Sequence, residues 1–227
     1  MPTTIQTTVY AFDELSDPAK ETARAWHRET GLDHAWHEFV YADFEAVCAI
    51  LGVRLQTSPI RLMGGGSRPE PHIFFRGFWS QGDGACFEGT YAYERRARTR
   101  IKQHAPQDPE LHRIADILQT IQRRNSYQLR AEARHRGHCH HEHSMAISVE
   151  RDSPAHQDMT ADAEETISNA LRDLARWLYR QLEREYDYQT SDEMVDEAIR
   201  IGGYTFTEDG GRFGSSYFCD GEGKSSG

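Results

Sequence analysis

The chain of 227 residues suits one domain with a substantial core, and ten Phe, ten Tyr and four Trp exclude a disordered composition. A formal charge of −10 argues against a DNA-binding face, which needs clustered Lys and Arg. Cys48, Cys86, Cys139 and Cys219 form no C-x-x-C pair, which excludes a dense disulfide scaffold and predicts reduced thiols in a cytoplasm.

Taken in chain order, Thr4 to Phe12 alternates β-branched or aromatic residues with polar ones and predicts a strand. Ser16-Asp17-Pro18 opens a helix, with Ser16 placed to accept from an orphan amide and Ala19, Ala23 and Trp26 at helical spacing. A second helix is expected from about Asp33 to Leu51, with Trp36, Val40, Phe44 or Val47, and Leu51 on its apolar face and Gly52 as its stop. Val53 to Leu62 reads as a strand, and Gly64 to Pro71 as a flexible connection. His72 to Trp79 and Ala85 to Tyr93 read as the two strands of a hairpin across Ser80 to Gly84. Asp108-Pro109 caps a helix whose stripe is Leu111, Ile114, Ala115, Leu118 and Ile121.

Further on, Tyr127, Leu129, Ala131 and Ala133 alternate with Gln128, Arg130, Glu132 and Arg134, which predicts a half-exposed strand with Ser144 to Glu150 as its partner. Met159 to Tyr186 is a long amphipathic helix presenting Ile167, Leu171, Leu174, Leu178 and Leu182. Thr190-x-x-Glu193 is a capping box that opens a short helix, and Tyr204 to Thr207 reads as a last strand. The expected fold is α+β: residues 1–207 as a single domain, with a mainly antiparallel sheet of about five strands and helices packed on one face. Residues 208–227 are Gly- and Ser-rich and are expected to be a disordered tail. With no basic n-region at the start and no run of ~20 apolar residues, the chain is expected to be cytoplasmic and not to enter a membrane.

Phe78 to Tyr91 concentrates the chemistry, with Gln81, Asp83, Cys86 and Glu88 among glycines that permit positive φ and close approach. Strand alternation puts Cys86 and Glu88 on one face, where the acid raises the thiol pKa and opposes nucleophilic use. His135 to His143 holds five histidines and a cysteine. Imidazole and thiolate are zinc ligands, and His138, His140 and His143 are the expected set, against a solvated histidine loop as the plain alternative. Arg95, Arg96, Arg98 and Arg100 form the basic run. They read as a solvated helix face or, with Arg76, Arg130 and Arg134, as the lining of an anion-binding groove where Phe74, Phe78 and Trp79 could stack a base.

Asp83-Gly84-Ala85-Cys86-Phe87 resembles the D-G-x-C-[LF] nucleophile segment of ovarian-tumour-type deubiquitinases, which implies a catalytic Cys86. More broadly, Val9 to Arg24, Gly77 to Tyr91, Leu111 to Ala115 and His135 to His138 resemble a family of small phage and prophage proteins labelled "antitoxin of toxin-antitoxin stability system". That resemblance implies a role in phage and host conflict, where binding is a common task. The expected function is a non-enzymatic binder of a protein partner or a small anionic ligand, through Arg76, Ser80, Gln81, Asp83, Glu88, Arg130 and Arg134. The alternatives are a Cys86 hydrolase and a histidine-metal hydrolase that uses zinc.

Overall fold

The computed structural model describes residues 6–32 and 35–214. In chain order the elements are β1 (Tyr10–Ala11), α1 (Asp17–Thr30), α2 (Glu38–Leu51), β2 (Val53–Leu55), β3 (Thr57–Arg61), β4 (Ser67–Pro71), β5 (Ile73–Arg76), β6 (Gly84–Phe87) and β7 (Gly89–Ala92). They continue with α3 (Ala97–His104), α4 (Pro109–Arg124), β8 (Leu129–His135), β9 (Met145–Arg151), α5 (Ala163–Gln189), α6 (Asp192–Ile201), β10 (Thr205–Phe206) and β11 (Arg212–Phe213). Every strand pairing is antiparallel, and the fold is α+β. Among the described residues no helix is long and apolar enough to cross a membrane. The chain forms two compact units, one within Met1–Trp36 and Tyr186–Gly227 and a central one, His37–Glu185.

In the terminal unit, Phe12, Leu15, Ala19, Ala23, Val195, Ile199 and Phe206 form the core. Arg24 grips Asp196 with two hydrogen bonds, Nε to Oδ1 at 2.6 Å and Nη2 to Oδ2 at 2.8 Å. This bidentate geometry favours the charged pair and joins α1 to α6. Pro18 sits in the first turn of α1 as expected, but the Ser16 side chain makes no capping bond. The α6 cap is Ser191, which accepts from the Met194 amide, while the Thr190 hydroxyl donates to the Tyr186 carbonyl one turn back. β1 is confined to two residues, and residues 1–5 lie outside the described residues. Of the stretch expected as a tail, residues 212–213 pair as β11 with β10, and residues 215–227 lie outside the described residues.

The central unit is built on the sheet β2-β7-β8-β9. Along β8, Leu129, Ala131 and Ala133 are buried while Arg130 and Arg134 are exposed, which is the period-two signature of a sheet covered on one face. The expected stripes of α4 and α5 are buried in full, and α2 contributes Phe44, Val47, Cys48 and Leu51. Phe44 contacts the rings of Phe87 (5.5 Å) and Trp177 (6.4 Å). Burying each such side chain stabilises the fold by roughly 1.5–3 kcal/mol. Asp108 caps α4 through the amides of Glu110 and Leu111, at 3.0 and 2.9 Å, and its second oxygen accepts from Trp177 Nε1 at 2.7 Å.

Several strand boundaries differ from the expectation for one physical reason. The runs 53–62 and 85–93 are each interrupted by one residue, Gln56 and Glu88, and His72 separates β4 from β5. These three residues bond to one another: Gln56 N to Glu88 O (2.8 Å), His72 N to Gln56 O (2.7 Å) and Glu88 N to His72 O (3.0 Å). The strands therefore turn a common corner without orphaning a backbone group. Ser67–Pro71, read as part of a loop, pairs with β3 with Pro69 opposite Pro59. Proline donates nothing to a ladder, so this pairing is confined to a two-stranded, largely exposed ribbon. Tyr127 does not join β8: it adopts φ 60° and is 42% exposed.

Candidate functional site

The corner carries a polar chain. Ser58 Oγ lies 2.6 Å from His72 Nε2, and His72 Nδ1 lies 2.6 Å from Glu88 Oε2. The other Glu88 oxygen accepts from the His135 amide at 2.9 Å. Burial works to raise the Glu88 carboxyl, but the bonds from His72 and the His135 amide outweigh it and hold the carboxyl below its usual range. With Glu88 accepting at Nδ1, His72 presents Nε2 to the Ser58 hydroxyl, the arrangement that lets an imidazole take a proton from an alcohol.

Beside this chain, the loop between β8 and β9 folds back over β6. Gly84 permits the approach, since a Cβ there would stand 3.0 Å from Cα of His141. Cys86, His135 and His140 then converge, with one ligand atom of each within 4.8 Å of the others. The Phe74 ring lies against both imidazoles, 5.4 Å from His135 and 5.6 Å from His140. Burial pushes the Cys86 thiol up, the Ser144 hydroxyl and the His141 amide work in the opposite direction, and the Glu88 charge adds to the rise. The acid thus acts on the thiol as expected from the sequence, though burial is the larger cause. A fully buried thiol with a raised pKa is a poor nucleophile, and Cys86 lies in β6, not at a helix N-terminus.

The other expected residues are dispersed. Asp83 organises the hairpin turn by accepting from the amides of Trp79 (3.0 Å) and Ser80 (2.6 Å). Gly77 is required beside it, because its φ is +48° and a Cβ would meet the Asp83 carboxylate at 2.6 Å. Arg76, Ser80 and Gln81 are exposed. Arg130 and Arg134 lie on the open sheet face, where they pair with Asp152 and Glu132 at 2.7 Å each. Of the three expected metal ligands only His140 joins the cluster; His138 and His143 are exposed.

A second site was only half legible in the arginine run. Arg95 and Arg96 just before α3, Arg98 in its first turn and Arg123 on α4 line a surface recess of about 700 Å³ together with Tyr93 and Tyr127. Arg98 pairs with Asp116, whereas Arg95, Arg96 and Arg123 have no ion pair among the described residues. The two tyrosine rings stand 4.4 Å apart. Arg96 (φ 63°), Ser126 (φ 56°) and Tyr127 (φ 60°) are all left-handed, a conformation costing non-glycine residues about 1 kcal/mol or more each. Buried side chains hold the turn in place. Gln122 accepts from the Leu129 amide (3.2 Å) and donates to the Leu129 carbonyl (2.8 Å), and Asn125 accepts from the Thr160 amide (2.9 Å) and donates to the Ile121 carbonyl (3.0 Å). A more apolar recess of about 600 Å³ adjoins it and shares Asp116 and Thr120.

No curated protein and no solved structure matches the chain. A family model described as "Domain of unknown function (DUF8835)" matches residues 36–192, the stretch that holds both the Glu88 corner and the arginine recess, and the chain belongs to that family.

Proposed function

We propose that the protein is a binder of a small organic anion, a phosphorylated compound with a planar group, and that the arginine recess receives it. The observation that carries this reading is the coincidence of four guanidinium groups against one carboxylate with three left-handed residues at or beside a single recess. Arginine forks match phosphate oxygens in pairs. Tyr93 and Tyr127 offer ring faces to a planar group. Strain held by buried hydrogen bonds is a known mark of ligand sites. The resemblance to phage and prophage proteins supports sequestration as the use of such binding.

Calorimetric titration of the untagged chain with pyrophosphate and with adenosine monophosphate tests the reading. Each loss of a charge-assisted contact, in Arg95→Ala or Arg123→Ala, should weaken binding roughly ten- to a hundredfold. Thermal stability should hold, since both side chains are exposed. Absence of binding by either anion at millimolar concentration, or unchanged affinity in the double variant, overturns it.

One observation favours a second reading, a serine hydrolase: the Ser58–His72–Glu88 chain with both links at 2.6 Å. A fluorophosphonate probe should then label Ser58, and labelling should vanish in His72→Ala. An unlabelled wild-type protein removes this reading and leaves the binder intact.

A further inference from the structure

The cluster of Cys86, His135 and His140 is a different site from the arginine recess, and its members come from β6, the end of β8 and the loop beyond. We propose that it binds one zinc ion through Cys86 Sγ and one ring nitrogen each of His135 and His140, leaving a fourth position for water or an incoming ligand.

Three features of the cluster point to a metal. The donor set of one thiolate and two imidazoles is that of zinc, and three protein ligands with an open position is the pattern of non-structural zinc sites. Zn–S and Zn–N bonds of about 2.3 and 2.0 Å imply tetrahedral edges of about 3.3–3.6 Å. The ligand atoms, now within 4.8 Å, therefore need to close by about an ångström, which side-chain rotation supplies.

The surroundings of each ligand fit as well. His135 Nε2 donates to the Cys139 carbonyl at 2.9 Å, which fixes the tautomer and leaves the Nδ1 lone pair available. A backbone carbonyl on the second nitrogen is the usual support of a metal-bound histidine. His140 Nδ1 is buried without a hydrogen-bond partner, an unmet polar atom that a metal or a shift of the ring would satisfy. Cys86 is fully buried, so a thiolate bound to a metal there is shielded from solvent. Glu88, through the His135 amide, anchors the backbone of one ligand.

Binding is not a redox step: the Cys86 S–H bond breaks, the sulfur–zinc bond forms, one proton leaves to solvent, and both imidazoles bind neutral. The ion would pin the histidine loop to the hairpin. The exposed His138 and His143 take no part, which separates this site from adventitious binding by a histidine-rich loop.

Cobalt(II) titration of the untagged, reduced, full-length chain provides the test. The expected result is one ion per chain, with a thiolate-to-cobalt charge-transfer band and the intense visible bands of a tetrahedral centre, both reversed by zinc. The charge-transfer band should be absent in Cys86→Ser. Affinity should fall at least tenfold in His140→Ala and His135→Ala, and stay within twofold in the double variant His138→Ala/His143→Ala. Circular dichroism guards against an unfolded Cys86→Ser, and His140→Ala, at a half-buried position, serves as the second arm. A titration without the charge-transfer band, a band that persists in Cys86→Ser, or binding abolished by the His138/His143 double variant overturns the proposal.

Discussion

Replacing Gln122 by Met isolates the polar work of a fully buried side chain at nearly constant volume. Gln122 satisfies both backbone groups of Leu129, the amide at 3.2 Å and the carbonyl at 2.8 Å, and also donates to the Tyr91 hydroxyl at 3.3 Å. Leu129 opens β8 one residue beyond the last β7 pairing, Ala92 with Arg130, so the amide side chain stands where a continued β7 would have stood. Methionine leaves the Leu129 N–H and C=O unpaired in a buried place, at about 1–3 kcal/mol each, offset by about 1 kcal/mol of better apolar burial. The expected loss is therefore roughly 1–5 kcal/mol, read as a lower urea midpoint at constant slope. Tyr91→Phe removes only the long contact and should cost under about 1 kcal/mol. A Gln122→Met variant within about 0.5 kcal/mol of wild type would refute the reasoning, because it would mean that Leu129 finds other partners.

Gly52→Ala should destabilise by several kcal/mol in the same urea assay, since φ is +88° and a Cβ would press the Ala92 carbonyl at 2.1 Å; a neutral result would mean that the junction of α2 and β2 can re-form. Glu88, with its folded carboxyl below the unfolded value, contributes stability that is present above the usual carboxylate range and lost as pH falls through the depressed folded value. Glu88→Gln should accordingly lose less stability than wild type as pH falls from the usual carboxylate range through the depressed folded value, and parallel curves would contradict the bonds from His72 and the His135 amide. Iodoacetamide followed by peptide mapping should modify exposed Cys139 in the native protein while sparing buried Cys86 and Cys48; Cys86 modified as fast as Cys139 would contradict its burial.

The sequence made legible what depends on local period. Leu111 to Ile121 on α4 and Ile167 to Leu182 on α5 recur on one helical face, and Leu129, Ala131 and Ala133 alternate with charges, so core-facing sides follow from spacing alone. The corner was not legible, because Gln56, His72 and Glu88 become strand breaks only by bonding to one another from three distant segments. β4 was hidden by its prolines, which signal a loop unless the partner strand is known. α3 carries Ile101 as its single buried residue, too little for a hydrophobic stripe, so its arginines read as a run without a frame. The cluster of Cys86 with His135 and His140 depends on the loop after β8 folding back past Gly84, a contact that histidine spacing within the loop could not reveal.

Both sites use the same strand, and its two ends explain why they can coexist in a small unit. At the Leu129 end, Gln122 takes over the hydrogen bonding of the missing β7 neighbour and frees the preceding turn to hold Tyr127 in a left-handed conformation at the recess. At the His135 end, Glu88 does the corresponding work by accepting from the His135 amide where β7 has already given way to the corner. In each case a polar side chain replaces a backbone partner at the limit of the ladder: Gln122 takes both groups of Leu129 and Glu88 takes the amide of His135. The seven residues of β8 span about 20 Å at about 3.3 Å per step, some two Debye lengths at physiological salt. An anion bound at Arg95 and Arg123 would therefore be largely screened through solvent from a cation bound at Cys86 and His140, so the two proposed sites can be tested independently.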